Sequence, residues 1–264
     1  MQNSENPRIV TTSWDDGDDA DLKLADFLRS KRIQGTFYVP INYQARPLDP
    51  CRLKDLSSIG FEIGAHGYSH RPLSRLTPAE LDEEIAPCKP ILEDIIGREV
   101  RMFCYPRGRY NTRVIRALQD AGYCGARTTR MLATRRAFPA FEMPTTLQIF
   151  PHQPSAYFKN AARSRSLAGL QTCLVQWPRL GSWLELGKSL FDEVLEKGGI
   201  WHLCGHTREL DSLGLWDTLA EILDYVRGRE GVLYVPNCEL VPTLAAGASP
   251  VVSLSVPEDS TKSW

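Results

Sequence analysis

The chain has 264 residues, a formal net charge of -1, 42% hydrophobic residues and 24% charged residues. This length fits one barrel-sized α/β domain, and the composition is typical of a globular protein rather than a disordered or membrane-embedded one. A net charge so close to zero gives no broad electrostatic footprint for nucleic acid or an acidic membrane surface, so we expect neither partner.

The two ends of the chain carry little structural signal. Residues 1–8 are polar and lack the apolar core of an export signal, and no later stretch approaches the roughly 20 apolar residues that span a bilayer. Seven scattered cysteines without a CxxC pair favour reduced thiols. These features predict a cytoplasmic protein with one domain over residues 1–244 and a flexible tail, rich in Ala, Ser, Pro and Gly, over residues 245–264.

Short β-branched or aromatic runs alternate with amphipathic stretches, which is typical of βα units around a mainly parallel sheet. The predicted strands, in chain order, are 9–14, 35–39, 62–65, 102–105, 125–128, 145–149, 200–203 and 232–235. The predicted helices are 19–31, 50–58, 79–95, 112–121, 182–197 and 215–229. Thr77 and Glu80 predict a capping box, and Asn111 predicts the start of a helix that Gly122 ends.

Two adjacent carboxylates, Asp15 and Asp16, follow the first predicted strand and precede Gly17. Adjacent side chains on a glycine turn point in different directions, so one can bind a metal while the other remains free as a base. Asp18, Asp19 and Asp21 come next and are interpreted as an acidic first turn that complements a helix dipole.

Four of the five histidines form two pairs with a spacing of four residues. His66 and His70 follow the third predicted strand, where Gly64 and Gly67 indicate a turn that can bring the imidazoles together. Two neutral imidazoles and one carboxylate leave open positions for water and substrate, as catalytic zinc or iron sites require. The second pair, His202 and His206, lies at the end of the seventh predicted strand.

The order of these motifs resembles that of a known family. The motifs are Trp14-Asp-Asp-Gly17, His66-Gly-Tyr-Ser-His70, Phe103-Cys-Tyr-Pro-Arg-Gly108 with Tyr110-Asn111, and Leu203-Cys-Gly-His206. They resemble the motifs of the polysaccharide deacetylases, carbohydrate esterase family four, over residues 9 to 236. The resemblance implies an α/β fold, a distorted (β/α) barrel of mainly parallel strands. It also implies metal-dependent removal of an N-acetyl group from an amino sugar or glycan precursor.

The resemblance also assigns roles by position. Asp15 would act as the base, and Asp16, His66 and His70 would hold one divalent metal ion, with zinc as the default and other transition metals as alternatives. His206 would act as the acid, and His202 remains an alternative for that role.

The third motif departs from the family pattern because its usual arginine is absent. Arg127, at the end of the fifth predicted strand, is predicted to replace it beside Asp15, the alternative being a surface arginine at a strand end. The backbone N–H of Arg107 is expected to face the oxyanion. Tyr105, Tyr110 and Trp201 are expected to contact the substrate, with core packing as the alternative for the aromatic rings.

Two other functions stay open at this point. Related barrels hydrolyse small cyclic amides or imides, and a relative without activity could bind carbohydrate only. Binding a sugar requires none of the base, acid and metal-ligand residues, so their presence argues against the second alternative.

Overall fold

A computed structural model describes residues 6–43 and 49–241 of the chain. All strand pairings in these residues are parallel, and the strands form one sheet in the order β5-β4-β3-β2-β1-β7-β6, with β8 paired to β1. The strands are β1 (Arg8–Asp15), β2 (Thr36–Val39), β3 (Glu62–Ala65), β4 (Met102–Cys104), β5 (Gly125–Arg127), β6 (Leu147–Gln148), β7 (Gly199–His206) and β8 (Val232–Tyr234). All eight predicted strands are present, and the prediction of a parallel α/β protein is confirmed.

Strand β1 is the centre of the sheet. It pairs with β7 along its whole length, while its other edge pairs first with β8 and then with β2. Every residue of β1 after Arg8 is buried, and Trp14 is fully buried. A parallel strand covered on both faces needs such a continuous buried run, which explains why its sequence does not alternate between apolar and polar residues.

Helices cover the sheet with their apolar faces. They are α1 (Asp21–Ser30), α2 (Pro50–Ser58), α3 (Pro78–Ile85), α4 (Cys88–Ile96), α5 (Thr112–Asp120), α6 (Pro154–Arg163), α7 (Leu167–Gln171), α8 (Trp177–Leu180), α9 (Trp183–Lys197), α10 (Thr207–Ser212) and α11 (Trp216–Val226). A π-helical turn, Thr172–Gln176, joins α7 to α8. No helix in the described ranges is long and apolar enough to cross a bilayer.

Helix boundaries follow local signals where those signals are strong. The Thr77 side chain accepts a hydrogen bond from the Glu80 backbone N–H and completes the predicted capping box of α3. Asn111 caps α5 as predicted, by accepting from the Val114 backbone N–H. The single helix predicted over residues 79–95 is wrong, because α3 and α4 are separated at Pro87, whose nitrogen carries no hydrogen to donate.

Two parts of the predicted organisation differ from the structure or fall outside it. The helices between residues 154 and 180, and α10, were not predicted. Helix α6 buries only Tyr157 and Ala161, which is too weak a periodicity to identify a helix in a segment punctuated by prolines. The predicted tail, residues 245–264, and the last residues of the predicted domain lie outside the described residues.

Candidate active site

The carboxyl ends of five parallel strands place the candidate residues at one edge of the sheet. Asp15 at the end of β1 lies in register with His206 at the end of β7. Arg127 ends β5 in register with Cys104 at the end of β4. His66 directly follows β3. Parallel strands share the direction of their carboxyl ends, so residues distant in sequence meet on one side of the sheet.

Asp16, His66 and His70 form a compact cluster. The Oδ1 atom of Asp16 lies 3.6 Å from Nε2 of His66 and 3.4 Å from Nε2 of His70. One potential ligand atom from each of the three residues lies within 4.8 Å of the other two, so the group could hold a metal ion. Asp16 and His70 both have positive φ angles, 83° and 60°, a backbone conformation uncommon outside glycine and often found at functional sites.

The donor chemistry of this cluster fits a divalent cation. Asp16 Oδ1 is buried and has no hydrogen-bond partner among the described residues. Burial lowers the pKa of His66 below its usual value, and burial also lowers the pKa of His70 to about 3, so both imidazoles are neutral near pH 7. A carboxylate oxygen left unpaired beside two neutral nitrogens is costly, and a bound cation would relieve that cost.

The tautomer of His66 is fixed by the strand beside it. His66 Nδ1 lies 2.8 Å from the carbonyl oxygen of Cys104, which can only accept, so Nδ1 carries the proton and donates. The lone pair of Nε2 is then directed toward Asp16. Metal-ligating histidines are commonly oriented in this way by a hydrogen bond from the other ring nitrogen.

A buried glutamate of α3 holds the turn that carries both histidines. Glu84 accepts hydrogen bonds from the backbone N–H of Ser69, at 3.0 Å, and from the Ser69 hydroxyl. The Glu84 backbone carbonyl accepts from the Tyr68 N–H at 3.0 Å. The ring of Tyr43 stacks on His70 with 4.2 Å between centroids. Glu84 could not be selected from the sequence, because its contacts are made with residues that are distant along the chain.

Asp15 is paired with a buried arginine from another strand. Arg127 is 1% exposed and its Nη2 donates to Oδ1 of Asp15, so the predicted proximity of these residues is observed and the surface alternative for Arg127 is wrong. Burial would raise the pKa of Asp15, but the Arg127 charge and the imidazoles of His66 and His206 bring it down to about 2. Burial raises the pKa of the neighbouring Cys104 thiol well above its usual value, so this cysteine is protonated and suited to packing.

His206 and His202 occupy different environments. His206 Nε2 lies 4.0 Å from Asp15 Oδ2, and its Nδ1 donates to Glu209 at 2.9 Å. Burial lowers the pKa of His206, but the hydrogen bond to Glu209 and the Asp15 charge outweigh it, and the net pKa is raised. His202 is 1% exposed, hydrogen bonds to Ser13, and has a pKa lowered to about 3, chiefly by burial.

Asp21 connects the two loops that carry Asp16 and His206. It lies in the first turn of α1 as predicted, but it is fully buried rather than exposed at the helix end. Its carboxylate accepts from the Thr207 hydroxyl and from the Asp18 backbone N–H, the latter at 3.1 Å. Thr207 directly follows His206, and Asp18 lies two residues after Asp16. Asp21 therefore connects both segments to the start of α1 through hydrogen bonds.

A cavity of about 480 Å³ opens onto these groups. Its size falls in the range of small-molecule binding sites. Its lining residues include Asp15, His66, His70, Tyr105, Arg107, Arg127, Gln148, His152, Lys159, Arg163 and His206. Tyr105 lines the cavity, and its hydroxyl donates to the Phe141 carbonyl at 2.9 Å.

Two aromatic residues expected at the substrate lie elsewhere. Trp201 is fully buried and its indole N–H donates to the Gly187 carbonyl at 2.9 Å, so the prediction that it contacts substrate is wrong and the core alternative holds. Tyr110 does not line the cavity. Its ring stacks on Tyr105 with 4.4 Å between centroids, and its hydroxyl donates to Glu142.

The fold and the site together indicate a class of protein: a parallel, curled sheet with an Asp-His-His cluster at the carboxyl ends of its strands. Residues 2–126 match the sequence profile of the family described as polysaccharide deacetylase. This match agrees with the resemblance that the motifs indicate.

Named relatives agree with this family relationship. A putative polysaccharide deacetylase, YxkH, of Bacillus subtilis is 29% identical over 85 residues, which cover 32% of this chain and 30% of that protein. A peptidoglycan-N-acetylglucosamine deacetylase of Bacillus cereus is 28% identical over 120 residues, which cover 45% of this chain and 55% of that protein. The matches therefore span between about a third and about half of these relatives.

The fold resembles a solved deacetylase over nearly the whole chain. The chitin deacetylase of the fungal pathogen Colletotrichum lindemuthianum superposes with a TM-score of 0.58 at 17% identity, covering 93% of this chain and 90% of that one. The prediction of a distorted (β/α) barrel of the polysaccharide deacetylase type is confirmed.

Proposed function

We propose that this chain is a metal-dependent deacetylase that removes an N-acetyl group from an amino sugar or glycan precursor. The observation that carries the proposal is the meeting, at one cavity, of the Asp16, His66 and His70 cluster with a paired carboxylate and a histidine. The family relationship supports the same reaction class, because relatives are described as deacetylases of N-acetylated sugars.

The cluster of Asp16, His66 and His70 would hold one divalent ion, with zinc as the default from its nitrogen and oxygen ligands. When bound, such an ion would polarise the amide carbonyl and make water more acidic. The orphaned Asp16 oxygen and the neutral imidazoles support this ligand set.

Asp15 would be the general base. Arg127 occupies Oδ1, and Oδ2 has the Cys104 thiol, a weak donor, at 3.8 Å. Oδ2 would therefore take the proton from the water that attacks the carbonyl carbon. Its low pKa keeps the carboxylate ionised at neutral pH. Arg127 therefore serves as a positioning residue, supplied by β5 in place of the arginine missing from the third motif. The Arg107 backbone N–H would face the developing oxyanion.

His206 would be the general acid. As the carbon–nitrogen bond breaks, its Nε2 gives a proton to the leaving nitrogen, and the products are acetate and a free amine. Glu209 supports this role because it binds Nδ1–H and stabilises the charged imidazolium. His202 is less suited, since burial and its contact with Ser13 leave it neutral and away from the cavity.

The direct test is acetate release from a panel of N-acetylated mono- and oligosaccharides, assayed beside cyclic imides with the zinc-loaded protein. We expect acetate from sugars, and loss of that acetate in His206→Ala. Ring opening without acetate would replace the proposal with cyclic amide hydrolysis. Sugar binding without any turnover would indicate a carbohydrate-binding relative that lacks activity.

A further inference from the structure

One wall of the active-site cavity is built by helix α6, which the sequence did not predict. The α6 residues that line the cavity are Ala156, Lys159, Asn160 and Arg163. Their spacing of three, four and seven residues places them on one face of a helix. Lys159 and Arg163 therefore lie side by side, one turn apart, on the face that borders the cavity.

The helix is fixed to the rest of the site by Asn160. Its side-chain oxygen accepts from the Met131 backbone N–H at 2.9 Å, and its side-chain nitrogen donates to the Thr129 carbonyl at 2.7 Å. Thr129 and Met131 themselves line the cavity. Tyr157 and Ala161 of α6 are buried against the protein. The two cationic side chains are thus carried by an anchored element and not by a free loop.

Among the residues that the structure describes, no carboxylate pairs with these two cations. Within the described residues, neither Lys159 nor Arg163 takes part in an ion pair or side-chain hydrogen bond. Residues 143–184 contain four Lys or Arg residues and no Asp or Glu, although the whole chain has a net charge of -1. The Asp15 carboxylate of the same cavity is already paired with Arg127.

The cavity offers little to a neutral sugar ring on this side. Tyr105 is the one aromatic residue, apart from histidines, among the described lining residues, and Tyr110 covers part of its ring by stacking. A polar cavity wall with two unbalanced cations is better suited to an anion, and arginine binds phosphate or carboxylate oxygens through paired N–H groups.

We propose that Lys159 and Arg163 form a subsite for an anionic group of the substrate, so that the enzyme acts on N-acetylated sugars that carry a phosphate or a carboxylate. This inference rests on the proposed deacetylase function. The anion binds on the α6 wall while the N-acetyl group lies in the part of the cavity that Asp15 and His206 line.

The test compares N-acetylglucosamine with N-acetylglucosamine 6-phosphate, and N-acetylmuramic acid supplies the carboxylate case. A sugar 1-phosphate with and without a short prenyl chain separates a lipid-linked phosphate from a free one. We expect the ratio of kcat/KM for the phosphorylated over the neutral sugar to be about tenfold or more, from charge-assisted hydrogen bonds. In Lys159→Gln/Arg163→Gln that ratio falls close to one.

The control is Lys54→Gln/Arg116→Gln, which removes the same charge from exposed positions of α2 and α5 that do not line this cavity. It should keep the wild-type ratio. Equal kcat/KM for the neutral and anionic sugars, or a ratio kept by the α6 double variant, would overturn the subsite and leave the deacetylase function standing.

Absence of acetate release from every sugar would instead refute the proposed function. In that case, calorimetric measurement of N-acetylglucosamine 6-phosphate binding tests whether the subsite exists. Binding that the α6 double variant loses and the control variant keeps supports the subsite, and absence of binding to wild type overturns it.

Discussion

At the scale of single residues, Asp15 and Asp16 are neighbours with opposite electrostatic environments. Arg127 and nearby imidazoles bring the pKa of Asp15 to about 2 against the effect of burial, whereas burial raises the pKa of Asp16 above its usual value. Asp15 is paired with the buried Arg127, whereas Asp16 has the exposed Arg208 at 3.8 Å from its Oδ2 and leaves Oδ1 unpaired. This difference supports the division into base and metal ligand.

Replacing Asp15 by asparagine should therefore remove turnover and keep the metal. We expect Asp15→Asn to lower kcat by about 100- to 10,000-fold, because an amide cannot accept the proton of water. Metal content measured on the same sample should match wild type, whereas the control Asp16→Asn should lose metal. Thermal unfolding must accompany the assay, since Arg127 is left buried without its carboxylate. Wild-type kcat in metal-loaded Asp15→Asn would refute the base assignment.

Glu209 should set the alkaline limit of activity. Burial lowers the pKa of His206, but Glu209 and Asp15 outweigh it and the net pKa is raised. An acid must be protonated to act, so activity falls as pH rises through this pKa. Glu209→Gln removes the nearby negative charge, and the alkaline limb of kcat/KM should move to lower pH. Glu221→Gln, an exposed position on α11, is the control. An unmoved alkaline limb would mean that another group acts as the acid.

At the scale of secondary-structure elements, the turn after β3 depends on α3. Glu84→Ala removes both side-chain hydrogen bonds that hold Ser69, which lies between the candidate ligand His70 and the rest of the turn. We expect metal affinity to fall by about 10- to 100-fold, as for other residues that orient ligands. The control Glu83→Ala changes the adjacent, exposed glutamate. Equal zinc affinities of Glu84→Ala and wild type in a competition titration would contradict this role.

The sequence predicted the strands, and the candidate residues at their carboxyl ends, better than it predicted the residues that pack around the site. Buried parallel strands have continuous buried runs in the sequence, and the polar candidate residues stand where the runs of β1, β3 and β7 end. Glu84 could not be selected, because its partner is distant along the chain. Trp201 was misassigned because β7 is buried on both faces, and sequence alone does not show which face meets the site.

Helix α6 was missed for a related reason. It buries only two residues, and the segment that contains it lacks the regular apolar pattern of a longer helix. Its contribution to the site became visible only with the contacts of Asn160 to the loop after β5.

At the scale of the whole molecule, the buried Asp21 should make folding stability depend on pH. Burial raises its pKa to about 8, although the hydrogen bond from Thr207 opposes that shift. The unfolded value is about 3.9, so the folded state holds the proton more tightly, and this contribution to stability is lost as pH rises from about 4 to 8.

Asp21→Asn should therefore gain stability relative to wild type between pH 5 and pH 8. We expect a relative gain of more than about 1 kcal/mol, or roughly 2–4 °C in the unfolding midpoint for a domain of this size. Asp26→Asn changes an exposed carboxylate of the same helix and should show no such trend. Parallel stability curves for wild type and Asp21→Asn would contradict a raised pKa.

The measurement that tests the central claim most directly is zinc stoichiometry combined with acetate release, on wild type and on His66→Ala/His70→Ala. The cluster of Asp16, His66 and His70 predicts one zinc ion per wild-type chain and acetate release from an N-acetylated sugar that a chelator stops and zinc restores. The double variant should lose both the zinc and the activity while remaining folded by circular dichroism. Full zinc occupancy or undiminished acetate release in the double variant would contradict the account.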